Sequence, residues 1–453
     1  MEEKTAALLC GFGKREITPP IGTPIVGYYR QRFAKGVIDP LYVRAAFFQS
    51  GQTRALVLTV DVCLLQKEWV NRIREKCGKA FGVDPDAILL NASHTHTGPL
   101  TGKDFASDLE VDPAYIDFLV EQAYCAAGEA SVDLKPARLF YAKTEAKGIS
   151  YVRRYRMKDG SIKTNPGRKL WDEVACALAE PNEAVRVLKI QREGADDVYM
   201  VHFGTHADTV HGEFISADWP GFVCSITERV IPGSKCMFLL GPQGDVNTTN
   251  RLRGSGYTNI VTSEKIIEDG RGDIAHARYM ARSIVGSVLQ VCDHMEEIGT
   301  EGISFAATEM QLPTNRITEG IEEAKRINDA YLAGRKKEEG ITTTVLAKAR
   351  RIIRMQSAPP YYVYRAYALK IGDFVISGCP GEPFTELGLR IYASSPFEHA
   401  MVCCQTNESC GYVATSRAYE EGGYEASTSS YQQGADNAYV EAAVAALKEI
   451  ERK

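Results

Sequence analysis

No CxxC pair occurs anywhere in the 453 residues, and the twelve cysteines stand singly apart from Cys403-Cys404. That spacing excludes a zinc ribbon and a thioredoxin-like redox motif. The chain has no long basic run and a net charge of -5, which excludes nucleic acid as the main partner. No apolar run approaches the roughly 20 residues that cross a bilayer, so no transmembrane segment is predicted. The amino terminus, Met1-Glu2-Glu3-Lys4-Thr5, lacks both a cationic start and an apolar stretch closed by small residues, the marks of a secretory leader. Internal repeats and low-complexity linkers are missing too. Together these absences predict one continuous domain over residues 1–453, cytoplasmic, with reduced thiols. What is there is ordinary for a soluble globular enzyme: 44% hydrophobic and 25% charged residues.

Periodicity predicts a layered α/β fold, a central mixed β-sheet flanked by helices. Residues 41–50 and 54–62 alternate around Gly51-Gln52-Thr53 and read as a hairpin, as do 185–191 and 198–203 around Glu193-Gly194. Helices are expected over 67–81, from 114 to 131 behind Asp112-Pro113, over 222–230, over 273–294 and from 434 to the end. Strands are expected at 236–240, 361–371, 373–378 and 401–406. Residues 148–182 read as mostly loop, and 250–272 as a polar surface excursion. Charge-rich residues 316–356 read as a solvated helical hairpin broken near Gly340, placed where a lid could lie.

The chemistry gathers around Asn91-Ala92-Ser93-His94-Thr95-His96-Thr97-Gly98-Pro99. The apolar run 87–90 delivers this segment to the carboxyl end of a sheet, where α/β folds place their sites. Residues two apart on a strand share a face, so His94 and His96 are candidates either for one metal ion or for a plain hydrogen-bonded pair. Three more strand-end motifs follow: His206 in Gly204-Thr205-His206-Ala207-Asp208, Asp245 in Gly244-Asp245-Val246-Asn247, and Glu382 in Gly381-Glu382-Pro383, with tyrosines after the last. A hydrolytic metal site needs three or four N/O ligands and one open position, and this set supplies them. Asp61, at the end of an apolar strand, reads as a supporting acid or a cap. His202 and His211 flank His206 and read as supporting or plain hydrogen-bonded histidines. Arg153-Arg154, beside tyrosines in the long loop, is a candidate grip for an anion.

Taken together these motifs resemble the neutral (non-lysosomal) ceramidases, in their N-terminal catalytic domain. The resemblance runs through Gly11-Phe12-Gly13-Lys14-Arg15-Glu16-Ile17-Thr18-Pro19, Gly27-Tyr28 and Ser93-His94-Thr95-His96-Thr97-Gly98-Pro99. It continues through His206 with Ser216-Ala217-Asp218, Gly381-Glu382-Pro383-Phe384-Thr385, Gly411-Tyr412-Val413-Ala414-Thr415 and Tyr424-Glu425-Ala426. It implies a zinc site made by His94, His206, Glu382 and Tyr412, in a hydrolase that cleaves an amide. His96 and Tyr424 would face the reacting group, and Asp218 and the Arg153-Arg154 pair would serve the substrate.

The chain departs from the family twice. Where the family carries a serine, Asn247 stands here; a carboxamide donates to an oxyanion but does not attack a carbonyl. A metal-activated water is then the expected nucleophile, with Asp245 as base or orienter. The family's additional C-terminal β-sandwich domain is not expected in this chain. Both departures point to a smaller or more polar substrate than ceramide. A scaffold turned to a glycosidic or ester bond, with Asp218, Asp245 and Glu382 as its carboxylates, is the alternative within enzymes. A non-catalytic binder of a metabolite or carbohydrate is the alternative outside them. A metallo-β-lactamase is excluded because Gly98-Pro99 occupies the places of its Asp-His. Assembly of several copies is compatible with all of these readings.

Overall fold

The computed structural model describes residues 7–102, 108–248 and 274–453. Alternating apolar residues build a large sheet from β1 (Leu8–Glu16), β2 (Tyr42–Ser50), β3 (Thr53–Val60), β4 (Ile88–Ala92), β5 (Lys135–Glu145), β6 (Ala184–Arg192), β7 (Asp197–Phe203) and β8 (Ser234–Leu240). Their spatial order is β8-β7-β6-β5-β1-β2-β3-β4, and β9 (Glu296–Ile298) adds to β5. The pairings are antiparallel except at the two edges, where β3 runs parallel to β4 and β7 parallel to β8. A second sheet contains β10 (Ile303–Pro313), β11 (Tyr361–Ile371), β12 (Phe374–Gly378) and β13 (Ala400–Cys403), and its last pair is parallel as well.

The strand period of two sorts these residues between layers. In β8, Met237 and Leu239 enter the core shared by the two sheets, while Cys236, Phe238 and Leu240 pack under helices. In the second sheet Leu369, Ile371 and Phe374 face that shared core, while Ala366, Ala368 and Val375 face the other way. The outer layers are helical. Helices α1 (Lys67–Phe81) and α2 (Pro113–Val132) lie on the β1–β2 side, and α3 (Asp218–Val230) and α4 (Ile274–Val291) on the β7–β8 side. Local chemistry sets their ends: Asp112 caps α2 ahead of Pro113, and α1 stops at Gly82 in a left-handed conformation (φ 65°).

The helical hairpin expected over 316–356 is present as α5 (Ile321–Leu332) and α6 (Thr343–Gln356). Helix α7 (Thr385–Ser394) follows, then α8 (Ser416–Glu421), α9 (Tyr424–Thr428) and α10 (Ala435–Glu451), which packs on β10 and β11. Residues 148–182 are more ordered than their loop-like composition suggests. Arg154–Met157 pairs with Ile162–Thr164 on one side and Val174–Ala177 on the other, and Tyr151–Val152 pairs with Val246–Asn247. The polar excursion at 250–272 lies outside the described residues. Among the described residues, no helix is long and apolar enough to cross a membrane.

Three parallel edge pairs converge at Asn91. Its Oδ1 accepts from the Leu240 amide at 2.8 Å, and its Nδ2 donates to the Cys404 carbonyl at 2.6 Å. The Cys404 amide donates to Leu240 at 2.9 Å and the Ala92 amide to Gln405 at 3.1 Å. One buried carboxamide therefore ties together the carboxyl ends of β4, β8 and β13.

Candidate metal centre

Each strand of the three parallel pairs runs out into a residue of interest: Cys63 after β3, His94 and His96 after β4, His206 after β7, Asp245 after β8, Glu382 after β12 and Tyr412 after β13. Strand β4 stops at Ala92, so His94 and His96 do not share a strand face, in contrast to the sequence expectation. His94 instead turns the chain with φ 61°, a left-handed conformation that costs about 1–3 kcal/mol in a residue with a side chain. The turn is held by the His94 amide donating to Val62 at 3.0 Å and by Nδ1 donating to the Cys63 carbonyl at 2.8 Å. His206 is fixed in the same manner, with Nδ1 2.9 Å from the Gln243 carbonyl and 3.0 Å from that of Val246.

A carbonyl only accepts, so in the neutral rings both Nδ1 atoms carry the proton and both Nε2 atoms are left as acceptors. Those two atoms each lie 3.3 Å from Glu382 Oε2. The carboxylate oxygen is buried and without a hydrogen bond. Donor atoms of His94, His206 and Glu382 all fall within 4.8 Å of one another. Buried donor atoms this close repel each other unless positive charge, a proton or a metal ion, lies between them, and N,N,O is a donor set that suits a divalent cation. The residues therefore fit the metal that the sequence implies.

The electrostatics couple the three groups to one another. Burial raises the Glu382 carboxyl, but His94 and His206 outweigh it and leave the group well below its ordinary range. Burial lowers His94, yet Cys63 and Glu382 together drive it well above the ordinary imidazole value. Burial, then Arg153, brings His206 down to about 4. Burial and the two neighbouring imidazoles hold His96 well below its usual value, leaving it neutral. His96 Nε2 lies 3.3 Å from His94 Nε2, while its Nδ1 faces Asp208 Oδ1 at 3.7 Å.

Backbone chemistry brings the last elements in. Glu382–Pro383 pairs in parallel with Tyr412–Val413. Gly244 lies against this pair so tightly that a Cβ there would be 2.4 Å from the Glu382 carbonyl oxygen. Gly27, with φ 114°, passes over His96, whose Cβ would be 2.8 Å from any added Cβ. The resulting cleft measures about 320 Å³ and is lined by Val26, Tyr28, Tyr29, Cys63, Leu64, His94, His96, Glu382, Tyr412 and Tyr424, together with Gly27. A shallower depression of about 400 Å³ lies elsewhere, walled by Lys14, Glu129, Glu228 and Lys235, and holds none of these groups.

The other residues singled out from sequence take different places. Tyr424 lines the cleft, its hydroxyl 2.9 Å from that of Tyr29. Tyr412 lies beside His206 with ring centroids 6.4 Å apart. Asp245 turns away: Oδ1 accepts from the Thr385 amide at 2.7 Å and the Thr385 hydroxyl at 2.8 Å, capping α7. Asn247 donates to the Asn165 side chain. Arg153 and Arg154 are buried rather than open to an anion. Arg153 donates to Glu425 at 2.6 Å and to the Gly244 carbonyl at 2.8 Å, with Nη1 3.4 Å from His206 Nε2. Arg154 donates to the Gly422 carbonyl at 2.8 Å, beside Glu421 and Glu425. Asp218 is fully buried, with its oxygens taken by the Thr209 amide and hydroxyl and the amides of Val210 and Trp219, so it clamps the His206 loop. Asp61 pairs with Arg44 at 2.9 Å, and His202 bonds the Val402 carbonyl.

Sequence reading missed Cys63, Tyr29 and Gln405 at this centre. Gln405 is buried with φ 46°, its Nε2 3.2 Å from His94 Nδ1. Cys63 had a signal, its place three residues past the apolar strand that ends at Val60. Gln405 had only the strand before it.

The fold and this buried His/His/Glu group define an α/β protein with a candidate metal centre at the meeting point of parallel strand ends. Its architecture is that of the neutral ceramidases. The crystal structure of neutral ceramidase from Pseudomonas aeruginosa matches with a TM-score of 0.75 at 17% identity, covering 99% of this chain and 75% of that one. A ceramidase complexed with C2 matches with a TM-score of 0.73 at 15% identity, covering 99% and 76%. No protein-family model and no curated protein matches the chain.

Proposed function

We propose that the protein is a zinc-dependent hydrolase that cleaves the amide of a small N-acyl substrate. The observation that carries this reading is Glu382 Oε2, buried without a hydrogen bond and 3.3 Å from the Nε2 atoms of both His94 and His206. His94, His206, Glu382 and Tyr412 would hold the ion. When bound, such an ion polarises a carbonyl and brings the pKa of a water near neutrality.

The chain's own residues do the rest. His96, kept neutral and adjacent to His94, is placed to take a proton from an attacking water and return it to the leaving nitrogen. Asp208 Oδ1, 3.7 Å from His96 Nδ1, would favour a proton on that nitrogen and leave Nε2 to act. The Tyr424 hydroxyl, in the same cleft, would donate to a developing oxyanion; burial, then Tyr412 and Tyr29, raises its pKa and keeps it protonated. Arg153, Asp218 and Asp245 act as positioning residues. They hold His206 and Tyr412, the His206 loop, and the start of α7 after Glu382. Asn247 and Arg154 support the strand pairs on that side.

A cleft of about 320 Å³ is near the lower end for ligand sites, which favours a compact substrate over a two-chain lipid. Its four tyrosines and Val26 and Leu64 favour a flat or apolar body around the scissile amide. The test is metal analysis of protein purified without chelator, then turnover on panels of N-acyl amides, esters and glycosides with His94→Ala as control. Stoichiometric zinc and His94-dependent amide cleavage are expected. Metal-free protein would overturn the reading, and metal-loaded protein that cleaves only glycosides or esters would replace the amide with that bond.

A further inference from the structure

Cys63 lines the cleft, and the hydrolytic reading leaves its thiol unused. Its carbonyl accepts from His94 Nδ1, and the carbonyl of the preceding Val62 accepts from the His94 amide. Its Sγ lies 3.7 Å from His94 Nδ1 and faces the cleft. On the other side His96 is as close to His94, at 3.3 Å between Nε2 atoms. One donor atom from each of Cys63, His94 and His96 falls within 4.8 Å of the others, and all three residues are buried. His96 Nδ1 has no hydrogen bond.

We infer that Cys63, His94 and His96 form a second cation site, selective for soft metals such as cadmium, that shares His94 with the first. The argument is one of donor type. The first set offers two imidazoles and a carboxylate; the second offers two imidazoles and a thiolate, which soft ions prefer. Binding replaces the thiol proton by the metal: the S–H bond breaks, an S–M bond forms, and the thiol proton leaves to solvent together with any proton displaced from a ligating imidazole. Because the site takes up His96 as well as His94, a soft ion there removes the proton-handling imidazole and stops turnover. The last step rests on the hydrolytic reading above; the binding site itself does not.

The test is titration of the whole protein with cadmium alone, in a Cys176→Ser background because Cys176 is exposed. The readouts are the thiolate-to-cadmium charge-transfer band in the ultraviolet and the protons released. Wild type and Glu382→Gln are both expected to develop the band and release at least the thiol proton as about one ion binds per chain. Cys63→Ser is expected to lack the band, with Cys63→Ala as the substitute if the serine variant fails to fold. Where turnover is present, Cys63→Ser should need at least tenfold more cadmium for half-inhibition. A band of unchanged size in both Cys63 variants, or no band in wild type, overturns the site. Zinc bound through Glu382 in a protein without the band would sink this inference alone. A band in Glu382→Gln with no zinc in wild type would sink the hydrolytic reading alone.

Discussion

Arg153 donates from Nε to Glu425 Oε1 at 2.6 Å, and both side chains are buried beside the candidate metal centre. The same guanidinium lies 5.3 Å over the Tyr412 ring, so the pair supports the wall that carries both Tyr412 and His206. Removing one partner strands the other charge in a poorly solvated place. Glu425→Gln is therefore expected to destabilise the fold by about 3–5 kcal/mol, measured by urea denaturation. A variant as stable as wild type would show that Arg153 finds compensation elsewhere.

Glu382→Gln leaves the volume of the centre almost unchanged and removes its negative charge. Metal content should fall to background while the far-ultraviolet circular dichroism is retained. In the wild type, a chelator should lower the thermal midpoint by the linkage of metal to folding, about 2.7 kcal/mol for an ion at a hundred times its Kd. Equal midpoints with and without chelator would contradict a resident ion.

In the proposed mechanism Asp208 acts only through His96, whose Nδ1 lies 3.7 Å from Asp208 Oδ1. Asp208→Asn should keep its metal and lose roughly 10–100-fold in kcat, the usual effect of removing an outer partner of a site histidine. KM should move little, and the pH profile should shift because the preferred tautomer of His96 changes. Loss of metal together with activity would instead make Asp208 a support of the neighbouring His206 loop.

Gly27→Ala places a Cβ 2.8 Å from that of His96 at a backbone angle of φ 114°. Either the loop retreats from the cleft or His96 moves. Turnover should fall at least tenfold, consistent with about 1–3 kcal/mol of strain placed at the reacting face. The thermal midpoint should fall only modestly, since the loop borders solvent.

Burial, then Arg186, pushes the His202 imidazole down to about 3, while an unfolded chain holds it near 6.5. A depressed folded value means that the unfolded state takes the proton first as the pH falls. Stability from this group is therefore complete above about pH 6.5 and is lost between there and about pH 3, by about 1.4 kcal/mol per pH unit. Urea midpoints at about pH 7.5 and 5.5 should differ accordingly, and His202→Asn should remove about one proton's worth of that slope. An unchanged slope would place the acid sensitivity elsewhere.

Local signals in the sequence are sufficient for much of this molecule. The Asp112-Pro113 start of α2, the Gly82 end of α1 and the hairpin around Gly51 depend on backbone chemistry within a few residues. The alternation that marks β2, β3, β6 and β7 is equally local. Strands β5 and β10 are less legible, because only part of each alternates cleanly between buried and exposed residues. The small sheet at 154–177 was hidden for another reason, since its strands are three or four residues long and are stabilised by long-range neighbours.

At the centre, sequence alone determined which residue types are present at strand ends: His94, His96, His206, Asp245, Glu382 and Tyr412. Tertiary structure decided which of them meet. Asn91 joins three parallel edges drawn from distant parts of the chain, and that junction turns His94, His206 and Glu382 toward one point while sending Asp245 to cap α7. It also decided that Arg153, Arg154 and Asp218 are buried supports, because their partners Glu425, Gly422 and Thr209 lie on other segments or across a turn. The physical reason is range: a cap or a turn is fixed by neighbours in sequence, whereas the aim of a buried polar side chain is fixed by whichever donor or acceptor packing leaves within about 3 Å.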